Sequence, residues 1–316
     1  MDDLFIKQEE LTALVNKIRS VAKKGKIASY IPALKESNPN DFGCVIYNGR
    51  ERIEAGDTDV LFTMQSSSKI LSLALALMDQ GEDTIFSKVG MEPTGDPFNT
   101  VQALEEENPS KPLNPMINAG ALVVTSLLAG DTAEEKINRL LRFIRELTGN
   151  KSIQVCEKTA ASEKKNANLN RSLCYFMKSH GILAGDVETI LDAYIRQCSI
   201  LVSCEDLAKI GSIIGNNGKN HNNQKSIIPA RIAKIITTFM ITCGMYNASG
   251  SFAMKAGIPT KSGVSGALLS GLKDGTGIGV YSPPLDSKGN SAAGVQFLEK
   301  ISDDYNLSIF STYRNS

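Results

Sequence analysis

Hydrophobic positions change period several times along the chain, and the changes mark out its elements. Leu11, Leu14, Val15 and Ile18 recur at helical spacing and predict an amphipathic helix within the first ~25 residues. DFGCVIYNGRERIEAGD then reads as a β-hairpin, with Cys44 to Tyr47 β-prone, Asn48-Gly49 a type I′ turn signal and a polar strand following. From Ser66 the pattern turns helical. SSKILSLALALMDQG is apolar on nearly all sides, which predicts a buried helix closed by Gly81. A polar loop leads to LNPMINAGALVVTSLLAG, where Asn114 is placed to cap a helix and Pro115 suits its first position. AEEKINRLLRFIRELTGN, RSLCYFMKSHG, DVETILDAYIRQC, SCEDLAKIGSIIG and PARIAKIITTFM predict further helices, several opened by Asp, Ser or Pro. After Gly244 strands return in the Gly-rich, alternating KAGIPTKSGVSGALLSG and GTGIGVYSPPL, and GVQFLEKISDDY closes as a helix.

Helix, hairpin, a long all-helical block, strands and a last helix define an α+β fold. The terminal segments make one antiparallel sheet flanked by terminal helices, and the middle is a helical lobe inserted into that sheet domain. The expected bounds are 1–64 plus 245–316 for the sheet lobe and 65–244 for the helical lobe. This layout is similar to that of the β-lactamase/transpeptidase fold, in which the active site lies between the lobes.

Composition narrows the function classes. The 316 residues carry 34 basic and 34 acidic side chains, so no net field favours nucleic acid or an anionic membrane surface. No apolar stretch is long enough to span a bilayer. MDDLFIKQEEL is acidic and polar, unlike a secretory or transit peptide, which points to a cytoplasmic protein. The six cysteines form no Cys-x-x-Cys pair and sit mostly among apolar residues, so they read as reduced thiols. Only two histidines are present, His180 at an expected helix end and His221 in the Asn-rich GNNGKNHNNQK. A histidine triad or metal centre is not expected, and neither is any cofactor.

The chemistry starts from Ser66-Ser67-Ser68-Lys69 and the later Lys261-Ser262-Gly263. A serine and a lysine three apart lie one above the other on a helix face, so the amine can take the hydroxyl proton. Ser-x-x-Lys with a later Lys-Thr-Gly occurs in β-lactamases and penicillin-binding proteins, and Lys-Ser-Gly is a close variant. Ser20/Lys23, Ser162/Lys165 and Ser270/Lys273 also satisfy the first pattern. They lie in a basic helix end, a polar segment and a turn. Ser66 instead opens the most buried helix, where the dipole favours an alkoxide or oxyanion and burial lowers the pKa of Lys69. The plainer reading makes Ser66 a cap and Lys69 a snorkelling surface residue, but a solvated lysine belongs on a polar face.

Lys261 to Gly266 reads as a strand whose glycines let a ligand or another backbone come close, so a strand N–H can supply half of an oxyanion hole. Three more polar segments adjoin apolar helices. Asn118 is expected one turn into its helix. Glu163 and Asn170 are seven apart and share a face if that segment is one helix. Tyr246 falls in a turn between a helix and a strand.

Taken together, the chain resembles the serine-dependent glutaminases, members of the β-lactamase-like superfamily. FTMQSSSKIL, NPMINAGAL, the SE…NLNR segment, LDAYIRQCSI, CGMYNASG and PTKSGVSG stand in the family's order and spacing. The resemblance runs from about Tyr30 to Gly266 and on towards the last helix. It implies Ser66 as nucleophile, Lys69 as its base and Tyr246 as a proton relay to the departing amine. It implies an oxyanion hole from the backbone N–H groups of Ser66 and Val264. Tyr30 would contact substrate. Asn118, Glu163, Asn170 and Tyr194 would hold its amino-acid end, and Lys261 would shape the site from the strand side. A homo-oligomer, tetramer or dimer, is also implied. Ala267 departs from the pattern, since many members have a second glycine there, and the transit peptide and ankyrin tail of animal members are not seen.

The implied substrate fits the residue types. L-Glutamine carries an ammonium, a carboxylate and a neutral amide. Glu163 is the natural ammonium partner, and Asn and Tyr donors suit the carboxylate. The expectation is hydrolysis of L-glutamine to L-glutamate and ammonia. The competing readings are a β-lactamase or D-Ala-D-Ala peptidase, and a non-catalytic relative that binds amino acids.

Overall fold

The computed structural model describes residues 4–94 and 111–311. The apolar stripe of the first segment forms helix α1 (Gln8–Ile18), which buries Leu11, Val15 and Ile18. It is shorter than the ~25 residues expected, because Arg19–Lys24 tightens into a 3₁₀ turn. The hairpin forms as strands β1 (Gly43–Tyr47) and β2 (Arg52–Gly56), paired with Tyr47 opposite Arg52. That register leaves a four-residue loop, not a two-residue type I′ turn. Asn48 sets it through its side chain, whose Oδ1 accepts from the N–H groups of Arg50 and Glu51 at 3.0 and 2.8 Å.

After β3 (Phe62–Thr63), the chain makes the 3₁₀ turn Gln65–Ser68 and enters helix α2 (Lys69–Gln80). Its residues 69–77 are all buried, and Gly81 ends it with φ +79°. The stretch after Gly81 is not wholly a loop, since Glu82–Lys88 forms the short helix α3. Within the rest of that expected polar loop, residues 95–110 lie outside the described ones. Asn114 does cap, with Oδ1 accepting from Met116 and Ile117 N–H, but it caps a turn, and helix α4 (Asn118–Ser126) begins only at Asn118.

The expected middle helices follow as α5 (Ala133–Thr148), α7 (Asn168–Ser179) and α8 (Val187–Cys198), and a helix not foreseen, α6 (Glu157–Lys165), stands between α5 and α7. The stretch is not helical throughout. Strand β4 (Leu201–Val202) pairs antiparallel with β3 ahead of α9 (Cys204–Gly215) and α10 (Ala230–Thr242). A short helix α11 (Ser249–Lys255) also interrupts the return to strands β5 (Thr260–Gly263), β6 (Ala267–Gly271) and β7 (Gly277–Tyr281). Helix α12 (Ala292–Tyr305) closes the described chain.

The terminal segments assemble one antiparallel sheet in the order β2-β1-β7-β6-β5. Its two faces follow strand parity. Cys44, Ile46, Leu268, Ile278 and Val280 face α1 and α12, packing with Leu11, Val15, Phe297 and Ile301. The opposite parity takes α9. Gly277 and Gly279 alternate with those apolar residues, and a Cβ on either would sit 1.8–1.9 Å from a carbonyl oxygen of α9 (Ala208 and Cys204). Glycine in this strand is therefore a close-approach surface for a helix. Burying both faces leaves β5 at the sheet edge, directly against the turn that carries Ser66.

Candidate active site

The geometry starts from the 3₁₀ turn. In a 3₁₀ helix, side chains three apart eclipse. The N–H of Lys69 donates to the carbonyl of Ser66, closing such a turn, so the two side chains leave the backbone on the same face. Lys69 is 1% exposed. Burial lowers its pKa to about 8, against weaker opposing fields from Cys198 and Glu163. Its Nζ donates to Met116 O at 2.9 Å and Asn118 Oδ1 at 2.8 Å. A neutral amine has two hydrogens and one lone pair. With both hydrogens directed into those acceptors, the lone pair is the part left for a third partner.

Asn118 is the first residue of α4, not one turn in, and this places its amide at a junction. Oδ1 accepts from Lys69 and, at 3.3 Å, from the Tyr194 hydroxyl, while Nδ2 donates to Asn170 Oδ1 at 3.0 Å. Glu163 and Asn170 do not share a helix. Glu163 lies in the last turn of α6 and Asn170 in the first turn of α7, with a break at Asn166 and Ala167. The bend between the helices points both at one cleft of about 120 Å3, whose walls include Tyr30, Ser66, Asn118, Glu163, Asn170, Tyr194 and Val264. Glu163 accepts a hydrogen bond from Gln65, yet burial outweighs this and the nearby Lys69 and pushes its pKa up to about 7. Among the described residues its Oε2 is buried with no partner.

Tyr246 reaches Ser66 from the strand side, its hydroxyl hydrogen-bonded with that of Ser66 and donating to Ser262 O at 3.3 Å. Burial holds the phenol well above its usual range, so it is a neutral hydroxyl. Lys261, fully buried, donates to Gly244 O and Ser262 O and stands 4.6 Å from the Tyr246 ring centre. It braces Tyr246 and β5, and burial together with Lys69 drives its pKa down. Tyr30 lies at the rim, more than half exposed. All ten residues expected at the site are thus brought together within one chain. Seven line the cleft, and Lys69, Tyr246 and Lys261 stand beneath or beside it.

The Lys261–Gly266 segment is a strand only through Gly263, and then turns, with Gly266 N–H closing on Gly263 O. Val264, the first residue past the strand, lines the cleft. Among the described residues, neither its N–H nor that of Ser66 takes an acceptor. Gly263 sets the spacing between these two donors. A Cβ there would lie 2.4 Å from Met64 O and 3.4 Å from Ser67 N, the backbone of the nucleophile turn. Gly263→Ala therefore pushes β5 off that turn. We expect kcat to fall about a hundredfold, since a displacement near 1 Å has that cost. Gly250→Ala, which meets nothing within 4 Å, should leave kcat unchanged. Equal kcat in both variants would show that the spacing does not matter.

Sequence reasoning missed Gln65 and Cys198, which also line the cleft. Gln65 adopts φ +48° beside Ser66, and Tyr246 adopts φ +51°. Left-handed backbone at a non-glycine residue costs about 1–3 kcal/mol and collects at functional sites. No sequence pattern announces it.

The chain matches the Glutaminase family model over residues 25–310. It is 53% identical to the glutaminase of Geobacillus thermodenitrificans over 304 residues, covering 96% of this chain and 98% of that one. It is also 53% identical to glutaminase 2 of Bacillus subtilis over 303 residues, covering 96% and 98%. Among solved structures, a probable glutaminase from Bacillus subtilis complexed with 6-diazo-5-oxo-L-norleucine superposes with a TM-score of 0.89 at 37% identity, covering 98% of this chain and all of that one. A Bacillus subtilis glutaminase in covalent complex with 5-oxo-L-norleucine superposes with a TM-score of 0.86 at 36% identity, covering 96% and 99%. The fold is the β-lactamase-like one expected, and no described helix is long and apolar enough to cross a membrane. With its nearly full-length likeness to these relatives, the chain belongs to the serine-dependent glutaminase family.

Proposed function

We propose that this chain hydrolyses the side-chain amide of L-glutamine through a Ser66 acyl-enzyme, with Lys69 as base. The observation that carries this reading is the pairing of two features across one small cleft. At one end a serine is eclipsed by a buried lysine of lowered pKa. At the other a buried carboxylate oxygen, Glu163 Oε2, has no partner. An α-amino acid with a reactive side-chain carbonyl satisfies both. Its ammonium neutralises Glu163, its α-carboxylate meets the Asn170 amide N–H and the Tyr194 hydroxyl, which turns to it from Asn118 Oδ1, and its amide carbon sits at Ser66 Oγ.

Lys69 takes the Ser66 proton as Oγ attacks. The tetrahedral oxyanion lies between the N–H groups of Ser66 and Val264. The proton held by Lys69 is relayed to the leaving nitrogen through Tyr246, which ends as it began, an uncharged hydroxyl; ammonia departs and Lys69 is neutral again. Water then attacks the Ser66 ester with Lys69 again as base, and glutamate is released. None of these steps calls on a metal or organic cofactor. The same geometry accounts for the diazoketone relative. 6-Diazo-5-oxo-L-norleucine presents an electrophilic carbon where glutamine has its amide, so a side-chain nucleophile displaces nitrogen.

The charged ends of the cleft predict selectivity. Glutamine should release ammonia, and glutamine with a blocked α-amino group should not, because Glu163 would then be buried without a counter-ion. Glu163→Gln should raise KM about tenfold or more, the loss of a charge-assisted hydrogen bond being about 1.5–3 kcal/mol. The carboxylate must be ionised to pair with ammonium, and its pKa lies at about 7, so kcat/KM should fall as pH drops below that value. Glu163→Gln should remove the Glu163 contribution and leave a single, shallower limb set by Lys69 near pH 8. Ammonia release against pH for the two proteins checks this. An unchanged KM with an unchanged acid limb would remove Glu163 from the ammonium role. Turnover of a chromogenic cephalosporin without ammonia release from glutamine would favour the lactamase reading instead.

A further inference from the structure

The Ser66 N–H belongs to a peptide group that is held from behind. In a trans peptide the C=O and N–H point in opposite directions, so fixing the Gln65 carbonyl fixes the direction of the Ser66 N–H. Ser68 Oγ donates to that carbonyl at 2.8 Å. The backbone bonds of a 3₁₀ turn are poorly aligned, and Gln65 enters this one at φ +48°, so the side-chain bond adds a tie where the backbone supplies a weak one.

A hydroxyl has one hydrogen, and Gln197 keeps that of Ser68 turned to Gln65. Gln197 lies on α8 and is fully buried, as are Ser68, Ser72 and Thr125 around it. Its Nε2 donates to Ser68 Oγ at 3.2 Å and to Ser72 Oγ at 3.1 Å, which uses both amide hydrogens. The two hydroxyls then point their own hydrogens away from it, Ser68 to Gln65 O and Ser72 to Lys69 O. Thr125 Oγ1, from α4, donates to Gln197 Oε1 at 3.2 Å and so sets which way the amide faces. A flipped amide would turn its oxygen to the serines and draw the Ser68 hydrogen off Gln65. The hydrogen bonds thus run one way, from Thr125 through Gln197 and Ser68 to the Gln65 carbonyl. Such a chain polarises each member in turn, and it strengthens as a donor the N–H on the same peptide.

We propose that Gln197 is a positioning residue for the oxyanion hole. Acting through Ser68, it orients and polarises the Gln65–Ser66 peptide, so that the Ser66 N–H meets the oxygen of the tetrahedral intermediate. The inference rests on the Ser66 acyl-enzyme and oxyanion hole proposed above. It adds a residue that is not among the walls of the cleft. The plainer role for Gln197 is a polar clip that joins α2, α4 and α8. Ser72 separates the two roles. It takes the same amide as Ser68 does, but its own hydrogen goes to Lys69 O within α2, away from the reacting peptide. A clip needs both serines alike, and the oxyanion hole needs only Ser68.

The test compares Ser68→Ala, Ser72→Ala, Gln197→Met and the double variant Ser68→Ala/Gln197→Met in the full chain. Two things are measured, kcat and KM for L-glutamine and the infrared stretch of the ketone in the 6-diazo-5-oxo-L-norleucine adduct. That ketone oxygen stands where the glutamine amide oxygen does, so its stretch reads the hydrogen bonds of the oxyanion hole. Ser68→Ala is expected to lower kcat about thirtyfold, short of the roughly 10²–10³ for losing such a donor outright, with KM changed less than about twofold. The ketone stretch should move to higher frequency. Gln197→Met should lower kcat about tenfold with the same shift, and added to Ser68→Ala it should cost nothing more, because it acts through that hydroxyl. Ser72→Ala should keep the native kcat and the native stretch, whatever it does to the thermal midpoint. Should Gln197→Met fail to fold, Thr125→Val, which removes the donor that directs the amide, should lower kcat about threefold or more and raise the stretch. Native kcat with an unmoved stretch in Ser68→Ala would overturn the inference. So would an equal loss in Ser72→Ala, or a further loss of kcat when Gln197→Met is added to Ser68→Ala. A native chain that neither releases ammonia nor forms the adduct would instead overturn the acyl-enzyme reading, and this one with it.

Discussion

Ser66→Ala abolishes ammonia release, lowering kcat by about four orders of magnitude or more, while the protein stays folded and still binds glutamine. The magnitude is that of removing the nucleophile of a covalent acyl-transfer enzyme. The structure says why folding is spared. The nucleophile turn is held by its neighbours. Ser67 Oγ donates to Met64 O and Ser68 Oγ to Gln65 O, while the Ser66 backbone keeps its bond to Lys69 N–H. Deleting one hydroxyl from a residue already 7% exposed leaves those bonds and the apolar face of α2 intact. Its hydrogen-bonding partner, Tyr246, retains Ser262 O. The thermal midpoint should therefore shift by no more than a few degrees. Glutamine should still raise it, because Glu163, Asn118 and Asn170 are untouched. Intact mass after incubation with 6-diazo-5-oxo-L-norleucine should show an adduct on the native chain and none on the variant. A variant with near-native turnover would refute the nucleophile. A native chain that glutamine stabilises but does not hydrolyse would make this a binding protein.

Several parts of this site were legible in the sequence, and the physics explains which. The buried helix after Ser66 was readable because burial all round leaves no polar face for a solvated lysine. The sheet was readable from the return of alternating strands after the helices, although α9 was not foreseeable as its cover. Gly277 and Gly279 carry that packing, and a glycine is silent about what approaches it. The break between α6 and α7 was not legible either. KKNANLN has no proline and no glycine, and only tertiary contacts decide that Glu163 and Asn170 lie on separate helices converging on one cleft. The same holds for Asn114, whose capping chemistry was read correctly one turn too early, since its side chain closes a turn and the helix starts at Asn118. Local propensity names the device, and packing chooses the residue on which the helix begins.

Lys69→Met separates chemistry from architecture at the same site. The thioether chain matches the length and apolar stem of lysine and introduces no charge. Replacing a buried, desolvated cation by a hydrophobe of similar shape is often neutral or stabilising. Two acceptors lose their donor, but Asn118 Oδ1 keeps the Tyr194 hydroxyl. The midpoint should therefore hold or rise slightly. Catalysis has no such compensation. Without the amine, no group on the Ser66 face of the turn can take its proton, and a positioned general base contributes about 10²–10⁴ in rate. We expect kcat to fall about a thousandfold, with KM for glutamine changed far less, since Lys69 meets the substrate only through Ser66. The pH profile carries the decisive sign. In the native protein the amine must be neutral to act, and its pKa is about 8, so kcat/KM should fall as pH drops through that value, and kcat with it. In Lys69→Met that limb should vanish from both parameters, while the limb of kcat/KM set by Glu163 near pH 7 should remain, moved somewhat higher because the lysine charge that lowered it is gone. If the variant kept both the native kcat and its acid limb, the proton would have to leave Ser66 another way, and Tyr246, already in contact with the hydroxyl, would be the base to test next.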